Sequence, residues 1–261
     1  MNFHIALSLD ISTLTRPLPP NCNFVLNFAR NSDDFTILSK SSEYSLKICD
    51  LYLEVTKIIP DASVLNQIER RFISQPMVFP LTRSKLLKYS VPKGVFDGSQ
   101  YNVFTGEDLP RFILIGFVDQ QAFAGAAVKN PYCFQHFNLS EISISHNNLP
   151  IPATPYRPDF KNEKFYRMYQ SFFDNLGIYH SDSSNAMTPD MYRGGMFLVP
   201  WDLSPDKCNG YHRHRGMSGE ISISLRFAKT TPCVITMIIY AVYETSFTIS
   251  KTDGVVTNYT L

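Results

Sequence analysis

Glu220-Ile221-Ser222-Ile223-Ser224-Leu225-Arg226-Phe227 decides the fold class of this chain. Ile221, Ile223, Leu225 and Phe227 alternate with Glu220, Ser222, Ser224 and Arg226, and side chains two apart share one face of a strand. A helix cannot gather that pattern into one apolar stripe, because its period is 3.6. The stretch is a β-strand with one face in a core and the other polar.

The same rhythm extends outward in both directions. Downstream lie an apolar run at 234–242 and a short stretch at 247–249. Upstream, residues 195–201, 134–145, 111–118 and 79–91 also read as strands. Nearer the N-terminus, 4–9, 23–28 and 44–58 alternate as well. In the last of these, Leu46, Ile48, Asp50, Tyr52 and Glu54 oppose Lys47, Cys49, Leu51, Leu53 and Val55. Three segments break the period. Asp61 is an N-cap candidate for a helix over 61–72, where Val64, Leu65, Ile68 and Phe72 fall at helical spacing. Residues 163–176 gather Phe165, Tyr166, Tyr169, Phe172 and Phe173 on one side, and Thr188-Pro189-Asp190 reads as a helix start. About nine or ten strands without βαβ alternation predict an all-β fold. The expected architecture is a jelly-roll β-sandwich of two antiparallel sheets with two or three short helices in the connections. No linker or internal repeat divides the chain, so 1–261 reads as a single domain.

A chain of 261 residues buries roughly three quarters of its unfolded surface, enough for a core without disulfide staples. Aromatic residues are 13% and charged residues only 18%, which favours sheet and suits a surface buried in an oligomer. Net charge is +1 with scattered basic residues, so no specific nucleic-acid partner is expected. Cys22, Cys49, Cys133, Cys208 and Cys233 are odd in number and form no CxxC pair, which reads as free thiols in a reducing compartment. The N-terminus lacks a basic n-region, and the run at 234–242 is too short to span a bilayer. The expectation is a soluble, intracellular protein that is not secreted and has no membrane partner. Asn138-Leu139-Ser140 and Asn258-Tyr259-Thr260 then read as chance sequons.

His212-Arg213-His214, followed by Glu220, is the strongest catalytic lure. Histidines at i and i+2 can share a metal, as in cupin-type jelly-roll enzymes. Here Glu220 comes one residue too late, no third histidine follows, and Arg213 and Arg215 repel a cation. Ser181 to Ser184 beside His180 and Asp182 reads as a loop, and Asp33-Asp34 and Glu107-Asp108 as turn carboxylates. The chain is read as no enzyme, with no catalytic residue, cofactor site or metal ligand assigned. Asn130-Pro131-Tyr132-Cys133-Phe134-Gln135-His136-Phe137-Asn138-Leu139-Ser140, continued at 150–160, offers aromatic, amide and proline side chains instead. These pack and shape turns. Its first part reads as strand, and its second as a proline-shaped turn leading into the second helix. Phe134, His136, Phe137, Phe160, Tyr166 and Tyr169 are the candidates for core packing or an oligomer interface.

Beyond that block, similar stretches are spread along the chain: residues 44–55, Phe79-Pro80-Leu81-Thr82-Arg83, 109–119, Ala122-Phe123-Ala124-Gly125, Asp202-Leu203-Ser204-Pro205-Asp206, 219–228 and 234–242. In this order they resemble the major capsid proteins of Polinton/Maverick elements and adintoviruses. The resemblance implies a double jelly roll whose subunits form trimers in an icosahedral shell, and no catalytic residues. It covers the C-terminal jelly roll and the strand leading into it, without the N-terminal roll. It is weakest at Asn138-Leu139-Ser140, at Ala153-Thr154 and after Cys208. What it implies is a viral or transposon-derived capsid structural protein that self-associates into capsomers. Its partners would be further copies (a trimer) and other capsid proteins, in the virion or inside the host cell, nucleus or cytoplasm. Two alternatives stay open: a domesticated or truncated jelly-roll binding module that does not assemble, and a cupin-like enzyme.

Overall fold

Alternating strands need partners, and the computed structural model of the chain supplies them for the C-terminal two thirds. It describes residues 3–14, 16–19, 25–40, 43–96, 98–179, 185–204, 207, 216–250 and 254–257. Among these, nine strands form: β1 (Met77–Val91), β2 (Ser99–Gly106), β3 (Phe112–Asp119), β4 (Leu139–His146), β5 (Leu149–Tyr156), β6 (Leu198–Asp202), β7 (Gly219–Phe227), β8 (Ile235–Ser250) and β9 (Gly254–Thr257). The helices are α1 (Asp33–Thr36), α2 (Ala62–Ser74), α3 (Gln120–Ala124), α4 (Tyr166–Asn175) and α5 (Pro189–Gly194), with a 3₁₀ turn at Asp10–Thr13.

One sheet runs in the order β1-β8-β3-β6, with β9 added to β8, and the other β2-β7-β4-β5. In the pairs 1·8, 2·7, 3·6 and 4·5 the strand numbers always sum to nine. A long antiparallel ribbon wound so that its pairs alternate between two sheets gives this order, and that is the jelly roll. The fold class expected from the pattern is the one found.

The described residues gather into two compact units. The larger joins Arg30–Leu46 to Lys85–Tyr243. Its core is made by the inner faces of both sheets: Ile113, Ile115 and Phe117 of β3 and Ile235, Met237, Ile239 and Ala241 of β8 on one side. Ile142 and Ile144 of β4 and Ile221, Ile223, Leu225 and Phe227 of β7 form the other. Each of these Ile, Leu, Met or Phe side chains contributes about 1.5–3 kcal/mol by leaving water. The smaller unit joins Met1–Ala29, Lys47–Ser84 and Glu244–Leu261. Its apolar cluster is Phe79, Phe247 and Ile249, with Leu14, Leu18, Phe72, Met77 and Leu81 packed around them. The rings of Phe79 and Phe247 stack at 5.1 Å. The Asp10 carboxylate accepts from the Ser84 N–H at 3.0 Å and its hydroxyl at 2.8 Å.

Several local expectations are corrected. No strand precedes β1 among the described residues, so 4–9, the described part of 23–28, and 44–58 are not strands. Every residue from 43 to 59 is exposed. Alternation prepares two faces, but without a neighbouring chain to take its N–H and C=O groups no sheet forms. Phe134 to Asn138 lie outside β4, which starts at Leu139. Residues 149–156 are strand β5 where a turn was expected, and β2 was not anticipated at all. Residues 235–250 are one strand, not two. Helices α2, α4 and α5 match expectation, although α4 begins at Tyr166 because 159–164 closes as a turn with Asp159 and Lys164 paired through both backbone bonds. Asp61 is the N-cap of α2, but its side chain makes no cap bond.

Candidate functional site

The aromatic candidates are placed by α4, α5 and the segment entering β4. Phe134 sits in an isolated parallel bridge with Met196: its N–H donates to the Gly195 carbonyl at 2.7 Å, and its carbonyl accepts from Phe197 at 3.0 Å. Its ring lies over Gly116 of β3, where an added Cβ would fall 2.6 Å from Phe134 Cδ1. His136 stacks on Phe160 at 3.8 Å and 15°, and meets Phe197 edge-on at 6.1 Å. From Phe160 the rings continue to Phe165 at 5.4 Å and Phe197 at 5.4 Å. On α4, Tyr166 stacks on Phe165 at 5.2 Å, and Tyr169 reaches Tyr192 of α5 at 5.6 Å.

Four of the six candidates, His136, Phe160, Tyr166 and Tyr169, thus join one continuous ring network inside the larger unit. Phe134 packs beside it on β3, and Phe137 packs against the main core in a left-handed backbone conformation. Tyr166 differs from the others in being 59% exposed. The Tyr169 hydroxyl donates to the Met187 carbonyl at 2.7 Å, and burial, then the nearby Tyr166, raises its pKa. Sequence reasoning missed the hub. Tyr192 is fully buried among Phe165, Tyr169, Phe172 and Phe197, and its hydroxyl has no hydrogen-bond partner among the described residues. Burial pushes that phenol far above its ordinary pKa. Nothing marked Tyr192 beforehand, since α5 is too short to show a period.

Beside the network Arg193 of α5 is paired twice. Arg193 bonds Glu163 at 2.8 Å and Asp190 at 2.9 Å. Burial, and then Arg193, lower the pKa of His136. On the far end of β3, burial works to raise the Asp119 carboxyl. Hydrogen bonds from Lys129 and the Gln121 N–H outweigh it, and hold the group below its ordinary value. Among the described residues no group of three His, Cys, Asp or Glu side chains is placed to hold a metal. His212, His214, His180 and Ser181 to Ser184 lie outside the described residues, as do Cys22 and Cys208. Among the described residues no helix is long and apolar enough to cross a membrane.

The jelly roll is established as the class of this protein by its strand order alone. No family model matches the chain. It is 25% identical over 254 residues to an uncharacterised protein of Caenorhabditis elegans, in an alignment that covers 93% of this chain and 59% of that protein. The chain therefore spans less than two thirds of that relative's length. Solved structures similar to it include PBCV-1 VP54 as fitted into a cryo-EM reconstruction of the virophage Sputnik (10% identity, TM-score 0.48, 75% of this chain and 54% of that one). The Sputnik virophage structure gives 13% identity and TM-score 0.42 over 71% of this chain and 40% of that one. The mavirus major capsid protein gives 5% identity and TM-score 0.39, over 71% and 42%.

Proposed function

We propose that this chain is a capsid-type structural protein, a jelly-roll building part that self-associates into capsomers and has no catalytic role. The observation that carries the reading is the uninterrupted exposure of residues 43–59 in a chain whose strands are paired in a jelly roll. Tyr44, Leu46, Ile48, Leu51, Tyr52, Leu53, Val55, Ile58 and Ile59 all stand in water, Tyr52 at 79% and Ile59 at 85% exposure. A run of exposed apolar side chains on this scale marks an interaction site. Seven of them within the smaller unit, from Ile48 to Ile59, offer on the order of 800 Å², about what one partner contributes to a standard interface. The resemblance to Polinton/Maverick and adintovirus capsid proteins supports this reading. On it, the chain corresponds to the second of two rolls, its partners are further copies (a trimer) and other capsid proteins, and its place is the virion or the host cell interior.

Mass photometry and sedimentation at tens of micromolar test it. A trimer is expected, and Leu51→Asp combined with Tyr52→Lys should shift it to monomer. A wild-type chain that stays monomeric at those concentrations would sink the reading. The same exposed segment also supports a second reading, a jelly-roll binding module that captures a different protein without assembling. A wild-type monomer that binds one defined partner through residues 43–59 would favour it.

A further inference from the structure

The chain enters β4 through a turn that one histidine holds shut. The Leu139 N–H donates to the His136 carbonyl at 2.8 Å, and the two central residues, Phe137 (φ 44°) and Asn138 (φ 55°), are both left-handed. This is the geometry of a type I′ turn, which suits Asn or Gly; a bulky residue such as Phe137 is strained there. A second bond clamps it: His136 Nδ1 accepts from the Asn138 N–H at 3.0 Å. A backbone amide can only donate, so Nδ1 is unprotonated and the ring carries its hydrogen on Nε2. The turn also touches both sheets. The neighbouring Gln135 N–H donates to the Phe117 carbonyl of β3 at 2.9 Å, and the Asn138 carbonyl accepts from Ala228, just past β7, at 2.8 Å.

We propose that the turn from His136 to Leu139 is a proton-operated latch between the two sheets of the roll, shut by neutral His136 and released when the ring is protonated. A proton on Nδ1 sets donor against donor at the Asn138 N–H. The left-handed pair then loses the bond that offsets its strain. Phe160 offers the imidazolium a cation–π contact in return, but it cannot replace the lost acceptor. The surrounding charges favour the neutral ring. Arg193 of α5 acts on it, itself held by Glu163 from the 159–164 turn and Asp190 from α5. That turn also carries Lys161, Lys164 and Asp159, whose carboxylate is taken up by Asn162. The titratable groups near His136 on its own segment are Tyr132 and Cys133, and Tyr192, whose phenol burial holds far above its ordinary pKa, is the one beside Phe197. A folded pKa below 6.5 leaves the latch fully shut above that value, and it opens as pH falls through the lowered one. Nothing in this depends on assembly.

Imidazole ¹⁵N spectra and amide hydrogen exchange on the full chain test it. At pH 7.5, Nδ1 should show the shift of an unprotonated acceptor, and His136 should titrate below 6.5. Exchange of the Leu139 and Ala228 amides, corrected for intrinsic rates, should rise at least tenfold between pH 7.5 and 5. His136→Asn keeps an acceptor for the N–H two residues on without a titrating group, and should abolish that rise. His136→Phe keeps the stack but no acceptor, and should exchange faster at every pH. An ordinary or raised pKa for His136, or corrected wild-type exchange that does not change with pH, overturns the proposal, and both are read on the unmutated chain. The same rise persisting in His136→Asn overturns it too.

Discussion

At the residue scale, the most informative atoms are those with no room or no partner. Tyr192 Oη is buried without a hydrogen bond to any described residue, an arrangement that costs the desolvation of a hydroxyl. Tyr192→Phe is therefore expected to leave stability unchanged or raise it by about 1 kcal/mol in urea titrations. Tyr192→Ala should lose roughly 3–5 kcal/mol, as large aromatic truncations in cores do. A phenylalanine variant clearly less stable than wild type would show that the hydroxyl has a partner after all. Gly116 is the converse case. A methyl there would meet the Phe134 ring and, at 2.9 Å, Leu198 Cδ2. Gly116→Ala should cost about 1–3 kcal/mol by overpacking. Pairing it with Phe134→Leu should cost less than the sum of the two single changes, because the residues touch.

Elements bring their own tests. The two-residue loop between β4 and β5 is Asn147-Asn148, and both have positive φ, 50° and 66°. That suits a hairpin turn of type I′, where glycine at the second position is favoured. Asn148→Gly should stabilise the hairpin by a few tenths of a kcal/mol, up to about 1, since it relieves the left-handed strain. Asn147 cannot be exchanged so freely: its Oδ1 accepts from the Glu220 N–H at 2.9 Å. At the start of α5, Thr188 Oγ1 accepts from the Met191 N–H at 3.2 Å, so Thr188→Ala should cost about 1 kcal/mol in thermal unfolding. The hairpin also shows why part of the fold was hidden in the sequence. Pro150, Pro152 and Pro155 make β5 read as a turn, yet β5 closes its sheet at an edge, where a missing N–H need not break a ladder. The other edge, β2, carries Gln100, Asn102 and Thr105 on its exposed positions, and so lacks a strong apolar signal. Residues 44–58 err the other way, with a better strand pattern than β5 and no strand beside them among the described residues.

For the whole molecule, acid is the informative perturbation. Burial, and then Arg193, lower the pKa of His136 in the folded state. An unfolded chain therefore binds more protons between pH 6.5 and that lowered value, and stability falls as pH drops through the window. Asp119 acts lower on the scale: its stabilisation is present above its ordinary 3.8 and is lost as pH falls through its depressed value. Urea midpoints should thus decline in two stages on acidification. His136→Asn should remove the first stage, and Asp119→Asn should shrink the second, to which Asp33 and Asp159, also held below their ordinary value by hydrogen bonds, contribute as well. A single decline confined to the carboxylate range would contradict the histidine's part.

Periodicity is local, and what it decided was local. The alternation of Ile221, Ile223, Leu225 and Phe227 determined a one-sided strand, and the spacing of Val64, Leu65, Ile68 and Phe72 determined a helix, because each depends only on which face neighbouring side chains share. The tertiary structure decided the pairing: β1 with β8, β2 with β7, β3 with β6, β4 with β5. It also brought His136 onto Phe160 and both against Phe197, which in turn meets Tyr192. A backbone hydrogen bond needs a second strand at the right distance, and an aromatic cluster needs rings far apart in sequence to meet. The long roll formed where both conditions held, and residues 43–59 stand in water where they did not.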